Sequence, residues 1–364
     1  MSRLRVLIVG ASIAGPTAAY WFTKAGAKVT VIERFPELRT DGHNVDIRVA
    51  GVTIMRKMPD QLAILTSNPL ISEYEIFRGD LSRILYDMTK ENKDVKYVFG
   101  EQVASIQQDP SEDGPVTVEF TGSMPTAQFD LVVACDGATS RTRSIGLAVV
   151  PATMLSPQIA GEPISVLIKI SVMVARIGHA HSAVGGRFMA VGVNPAGGTR
   201  IIFMGCNSRS DLESILPFRK AMKEGDDAVK NYISQHYQGV GWKANEAVRS
   251  ILASGDFYAI EFVQVKTSTL SKGHFVLVGD AGYAPGLTGT GTTLAIAGAY
   301  LLAGEVCKHE GDIDAALRGY ETQMRPLIND LQKISPLIHS FVQYAVQYAV
   351  YFLLNRLLEH TCIQ

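Results

Sequence analysis

Gly10, Ser12, Gly15 and Glu33 are the first residues whose types and spacing suggest chemistry. They lie in Val6-Leu-Ile-Val-Gly-Ala-Ser-Ile-Ala-Gly-Pro16, a near match to the glycine fingerprint of dinucleotide-binding turns, with Ser12 in place of the second glycine. Gly10 permits a tight turn after a strand, and Gly15 lets the following helix lie close to that strand. Ser12 is small enough for the backbone to approach a pyrophosphate, and its hydroxyl can donate to a phosphate oxygen. Glu33 follows Gly10 by 23 residues and ends the apolar run Lys28–Ile32, where an acid hydrogen-bonds a free ribose 2′-OH and repels a 2′-phosphate. Arg34 softens that exclusion. A nucleophile elbow of the G-x-S-x-G type also joins strand to helix. Here its last glycine would be Ala14, and no earlier strand supplies an oxyanion-hole loop, so nucleotide binding is the favoured reading.

Two later segments repeat the theme of a buried strand ending in an acid. Phe275-Val-Leu-Val-Gly-Asp280 leads into a loop of small residues containing Pro285, Gly289, Gly291 and Thr292, then into an apolar helix over Leu294–Val306. The acid can take two hydroxyls of a sugar or ribityl chain. The helix start offers free N–H groups and a positive dipole end to a group that becomes anionic. Phe129–Cys135 runs into Asp136-Gly137 and a polar turn with Arg141 and Arg143, read as phosphate-handling.

These residues need an α/β framework. Arg5–Val9 is a continuous apolar run with β-branched members, the pattern of a strand buried on both faces. Pro16 fits a first helical turn, and Gly26 a left-handed helix end. Between Gly146 and Lys272 the glycine turns stop. There Arg187–Val193 and Thr199–Gly205 read as a strand pair, Asp211–Gln238 as helical, and Asp256–Val265 as a further strand.

The three glycine segments, in this order, resemble those of the group A FAD-dependent aromatic monooxygenases, the p-hydroxybenzoate hydroxylase-like family. The resemblance runs from Val6 to about Pro326. It implies a mixed α/β fold: a Rossmann-like FAD-binding domain from 1–145 and 272–325, an inserted β-sheet substrate domain over 146–271, and a C-terminal helical segment over 326–364. It implies that Gly10, Ser12, Ala14, Gly15, Glu33 and Arg34 hold the ADP part of FAD. Asp136 and Gly137 would support FAD and a passing NADPH or NADH. Gly279 and Asp280 would contact the ribityl side, and Pro285, Gly289, Gly291 and Thr292 would line the isoalloxazine. Arg78 matches the family's arginine that reaches the FAD phosphates, and Arg48 lies in the segment that passes over the flavin. No general base is readable.

The activity implied is oxygen insertion from O2 into an aromatic or polyketide-like small molecule, through a flavin C4a-hydroperoxide formed after NAD(P)H reduces the flavin. A flavin-dependent reductase of the same fold and a degenerate flavoprotein without turnover remain as alternatives. The Trp-x-Trp element of flavin halogenases is missing, since Trp21 and Trp242 are the only tryptophans. The stretch 61–72 is shorter than in relatives, 147–180 departs from the family pattern, and Tyr283 stands where many relatives carry histidine.

Composition narrows the setting. A 364-residue chain that is 47% hydrophobic can build a large core in two domains. A net charge of −1 gives no footprint for nucleic acid. The four cysteines share no metal-like or redox-like spacing, which fits a reducing, cytoplasmic setting, and no metal site is expected; His179 and His181 lack completing ligands. No apolar targeting segment precedes Arg5. The apolar tail 337–358 is long enough to span a bilayer, but His339, Gln343, Gln347 and Asn355 interrupt it. A packed helix is the favoured reading and peripheral membrane association the alternative.

Overall fold

The computed structural model describes residues 3–39, 44–47, 50–58, 74–109, 114–148, 164–172, 179–184, 187–193, 199–206, 215–255, 257–259, 261–286 and 289–332. The expectations for Arg48, for 61–72 and for 337–358 lie outside these residues, as does most of 147–180 apart from the strand at its centre. The chain divides into two compact units, Met1–Gly161 with Gln264–Gln332, and Glu162–Val263 with Lys333–Gln364.

The first unit begins with β1 (Arg5–Val9), α1 (Ala14–Lys24), β2 (Lys28–Glu33), β3 (Asn44–Ile47), α2 (Ala50–Met55), β4 (Tyr74–Phe77), α3 (Arg78–Lys90) and β5 (Val95–Phe99). It continues with β6 (Val103–Gln107), β7 (Val116–Phe120), β8 (Ala127–Phe129), β9 (Leu131–Ala134) and α4 (Arg141–Gly146). The second unit contains β10 (Ile164–Val172), β11 (His179–Ala183), β12 (Arg187–Val193), β13 (Thr199–Cys206), α5 (Leu216–Glu224), α6 (Asp226–His236), α7 (Ala244–Ala253), β14 (Phe257–Tyr258) and β15 (Glu261–Phe262). The chain then returns to the first unit through β16 (Ser271–Lys272), β17 (Phe275–Leu277), α8 (Asp280–Tyr283), α9 (Gly291–Lys308) and α10 (Ile313–Leu331).

The main sheet has the order β16-β17-β9-β1-β2-β5. Its pairs are parallel except β16 with β17. The alternation of side chains explains why β1 reads as uniformly apolar. Val6 and Ile8 join the core made with α1, α9 and α10, while Leu7 and Val9 face the core under the three-stranded sheet β6-β7-β8. From β1 the chain moves to β2 on one side and later to β9 on the other. That reversal opens a crevice at the carboxyl ends of the strands, where ligands of such sheets bind.

The second unit is built on an antiparallel sheet, β11-β12-β13-β10-β14, with β15 also paired to β10. Met189 and Phe203 from the sheet meet Phe218, Ile233 and Ile251 from the helices in its core. The helical reading over Asp211–Gln238 is carried by two helices, parted at Gly225, which takes a φ of +105°; 211–214 lie outside the described residues. One expectation is corrected here: among the described residues of Asp256–Val265, strand is confined to two two-residue pieces, β14 and β15. Among the described residues no helix is long and apolar enough to cross a membrane, and no cluster of His, Cys, Asp and Glu could hold a metal ion.

Candidate active site

The turn after β1 is fixed by backbone contact. Gly10 has a φ of +106°, and a Cβ there would lie 2.6 Å from the Cys135 carbonyl oxygen. A Cβ on Gly15 would fall 1.8 Å from the Gly10 oxygen, so α1 can start this close to β1 only with glycine. Ala14, the first residue of α1, lies against the third motif: a Cβ on Gly279 would be 3.2 Å from that of Ala14. The first and last glycine segments, far apart in sequence, are therefore neighbours.

Glu33 closes the turn from the other side. The Ala11 N–H donates to its Oε2 at 2.8 Å, and the Phe35 N–H donates to its Oε1 at 3.2 Å. Arg34 and Arg39 flank the Phe35 ring, with guanidinium carbons 4.8 and 4.7 Å from its centre. Arg78 is the first residue of α3, and it donates from Nη2 to Ser12 Oγ at 2.8 Å; Ser82 Oγ lies 3.3 Å from the same hydroxyl. Arg78 is therefore not a free helix-end charge. It reaches the nucleotide-type turn.

Gly10, Ser12, Glu33, Arg34, Arg78, Asp136 and Gly137 all line one groove of about 900 Å3, part of it open to solvent. Four arginines line it, Arg34, Arg39, Arg78 and Arg141, beside three acids, Glu33, Glu101 and Asp136, so it offers partners for anionic and for hydroxyl groups together. Asp136 is held by Ser140 Oγ at 2.5 Å and by the Thr142 N–H at 3.1 Å. Gly137 takes a φ of +85°.

The arginine pair after this turn separates in the structure. Arg141 borders the groove. Arg143 instead donates to the carbonyls of Ala281, at 2.6 Å, and Ala138, at 3.0 Å. Its guanidinium is committed to tying α4 to α8, so the phosphate-handling expectation is corrected for Arg143. Sequence reading also missed Phe35, Arg39, Glu101 and Gln102. The order of the strands would have found Glu101 and Gln102, which follow β5 beside the end of β2. Nothing in the local pattern marks Arg39.

The third motif packs tightly. Gly279, at φ +69°, precedes α8, and Asp280 opens it. The Asp280 side chain is exposed; the protein mass around it raises its carboxyl above the ordinary range, opposed by the positive charge of Arg78. A Cβ on Gly291 would lie 3.5 Å from Asp280 Oδ1 and 3.6 Å from the Pro285 ring, so the start of α9 faces both. Gly289 takes a φ of +69°, and Thr292 is buried in the first turn of α9. Tyr283 is buried. Its hydroxyl lies 3.1 Å from that of Tyr320, which donates to the Leu277 carbonyl at 3.0 Å.

A family model described as an FAD binding domain matches residues 49–333, most of the chain. The chain belongs to this FAD-binding family. A second model, described as pyridine nucleotide-disulphide oxidoreductase, matches residues 5–72, the region of the first turn. The FAD-dependent monooxygenase asL4 of Sarocladium schorii is 29% identical over 382 residues, covering 91% of this chain and 86% of the relative. The crystal structure of tetracycline destructase Tet(51) superposes with a TM-score of 0.76 at 26% identity, covering 98% of this chain and 96% of that one. Klebsiella pneumoniae HpxO, solved with FAD and uric acid, shares the fold with a TM-score of 0.68 at 21% identity over 94% of this chain and 93% of its own. The fold is that of the p-hydroxybenzoate hydroxylase type, as the glycine segments implied, and the protein is an FAD-dependent monooxygenase.

Proposed function

We propose that this monooxygenase holds FAD along the groove just described and, with NADPH or NADH as reductant, inserts one oxygen atom of O2 into an electron-rich aromatic or polyketide-like small molecule. The observation that carries the reading is convergence. Ser12, Arg78 and Asp280, from three distant parts of the sequence, come together where β1 ends. Flavin, when bound, would supply the redox and oxygen-activating chemistry.

The chain's own part is binding and charge. The turn at Gly10–Gly15 lets the backbone approach a pyrophosphate, and Arg78, already on Ser12, supplies the countercharge. Glu33 accepts from a ribose hydroxyl once its bond to the Ala11 N–H is exchanged. Asp280, at the start of α8, accepts from ribityl hydroxyls. Pro285, Gly289, Gly291 and Thr292 border the ring, and the N-terminal dipole of α9 favours negative charge there. Asp136 and Gly137 support the cofactor from the third strand end. Residues 1–145 and 272–325 make the FAD domain in this reading, and 146–271 the substrate domain. The tetracycline destructase neighbour supports a fused-ring phenolic substrate class.

The test is a visible spectrum of the purified protein after FAD addition and desalting, followed by NAD(P)H and O2 consumption with a panel of phenols and fused-ring ketones. Retained flavin absorbance, weakened at least tenfold in affinity by Arg78→Met, and O2 uptake matched to product are expected. A parent protein that retains no flavin sinks the placement. NAD(P)H oxidation coupled to product without O2 uptake would make it a reductase.

A further inference from the structure

In the loop between α8 and α9 the carbonyls of Ala284 and Pro285 are not left to solvent. Two glutamine side chains take them. Gln264 Nε2 donates to the Pro285 carbonyl at 3.2 Å and to the Gln332 carbonyl at 3.0 Å. Gln332 Nε2 donates to the Ala284 carbonyl at 3.1 Å and to the Val265 carbonyl at 2.8 Å. Both N–H bonds of each amide are thus used, and the two residues are 3% and 6% exposed. The Val265 N–H adds a bond to Ala284, and the Gln264 backbone bridges Pro285. Gly286, at φ +74°, packs so closely on Gln264 that a Cβ there would be 3.0 Å from its Cγ.

The position of these residues in the chain is as informative as their bonds. Gln264 is where the chain returns to the first unit, and Gln332 is where it leaves again. Both crossings are therefore fastened to the same short loop. Pro285, in turn, packs on Gly291 at the start of α9, next to Asp280.

We propose that Gln264 and Gln332 are positioning residues for the monooxygenase reaction: together they clasp Ala284-Pro285-Gly286 and so set where the start of α9 stands against the flavin ring. The inference rests on the placement of that loop beside the ring proposed above. Neither side chain needs to touch the cofactor. A displacement of the helix start by a few tenths of an ångström changes how well its N–H groups stabilise negative charge on the ring.

Sulfite is the probe, because it adds reversibly to the oxidised flavin ring, bleaches the visible band and leaves the ring anionic. FAD-loaded Gln332→Met and Gln264→Met keep side-chain length but donate nothing. They should bind FAD within about threefold of the parent, while the sulfite Kd rises about tenfold or more, a loss of about 1.4 kcal/mol. Gly289→Ala strains the same loop directly and should also shift the sulfite Kd. Should a methionine variant fail to fold, Gln264→Asn, which withdraws the amide by one methylene, carries the same test. An unchanged sulfite Kd in the glutamine variants, with a shifted one in Gly289→Ala, overturns the clasp and leaves the loop placement standing. No shift in any variant overturns both. A loss of FAD affinity parallel to a falling unfolding temperature, with sulfite affinity intact in the flavin that remains, assigns the pair a purely structural role and overturns the proposal.

Discussion

Tyr283 is buried against α9, and the geometry says what its hydroxyl requires. A Cβ on Gly298, in the middle of α9, would stand 1.9 Å from the Tyr283 hydroxyl, with the next atoms at 3.1 Å, the Tyr283 Cζ, and 3.2 Å, the Tyr320 hydroxyl. Tyr283 and Gly298 therefore behave as a pair. Gly298→Ala alone gains about 1 kcal/mol in helix propensity but overpacks the core at a cost near the upper end of roughly 1–3 kcal/mol, a net loss of about 2 kcal/mol. Tyr283→Phe alone loses one buried hydrogen bond, about 1 kcal/mol, since Tyr320 still donates to Leu277. In the double variant the 1.9 Å contact is gone, and alanine is accommodated by shifts of a few tenths of an ångström. Adding Gly298→Ala to the phenylalanine background should then be near neutral, a coupling of about 2 kcal/mol. Urea unfolding of the four FAD-free proteins measures it without ligand linkage. Additivity within about 0.5 kcal/mol would refute the packing argument. The expected coupling would show that the glycine at 298 is required by the Tyr283 hydroxyl.

Two further outcomes concern carboxylates. Asp280→Asn should lower FAD affinity by about tenfold or more as a charge-assisted bond to the cofactor is lost, read from the flavin absorbance kept after desalting; an unchanged affinity would contradict its role at the ribityl chain. Loss of water around Glu101 would raise its carboxyl, but the N–H groups of Met124, Gly122 and Gln102 outweigh this and hold it below the usual range. Its stabilisation is present above the unfolded value and disappears as pH falls through the folded one. Glu101→Gln should therefore narrow the gap in stability between pH 6 and pH 3, and an unchanged gap would argue against the role.

The first unit was largely legible because its signals are backbone constraints. Gly10 and Gly15 announce a turn that no side chain fits, and the acids at 33, 136 and 280 mark strand ends. Arg78 was legible only by resemblance; its bond to Ser12 joins residues 66 positions apart, which no local period encodes. Arg143 misled for a related reason. An arginine after an Asp-Gly turn suits phosphate, but the fold brings the Ala281 carbonyl within its reach from a distant segment. The helical character of 211–238 was legible, and the backbone angle at Gly225 adds where it divides into two helices. The glutamine clasp left no signal at all, since two isolated glutamines have no spacing to read.

The order of the main sheet also sets a timetable for the nascent chain. β9 is wholly buried, yet its neighbour β17 is made about 140 residues later, after the 162–263 stretch of the second unit has been synthesised. At roughly 5–20 residues per second, one edge of an apolar strand waits on the order of ten seconds for its partner. The second unit has its own core and is free to collapse during that interval. The first unit cannot close until Gln332 has left the ribosome, so a stalled or truncated chain ending before β17 would display the Leu131–Ala134 edge as a template for aggregation and a target for chaperones.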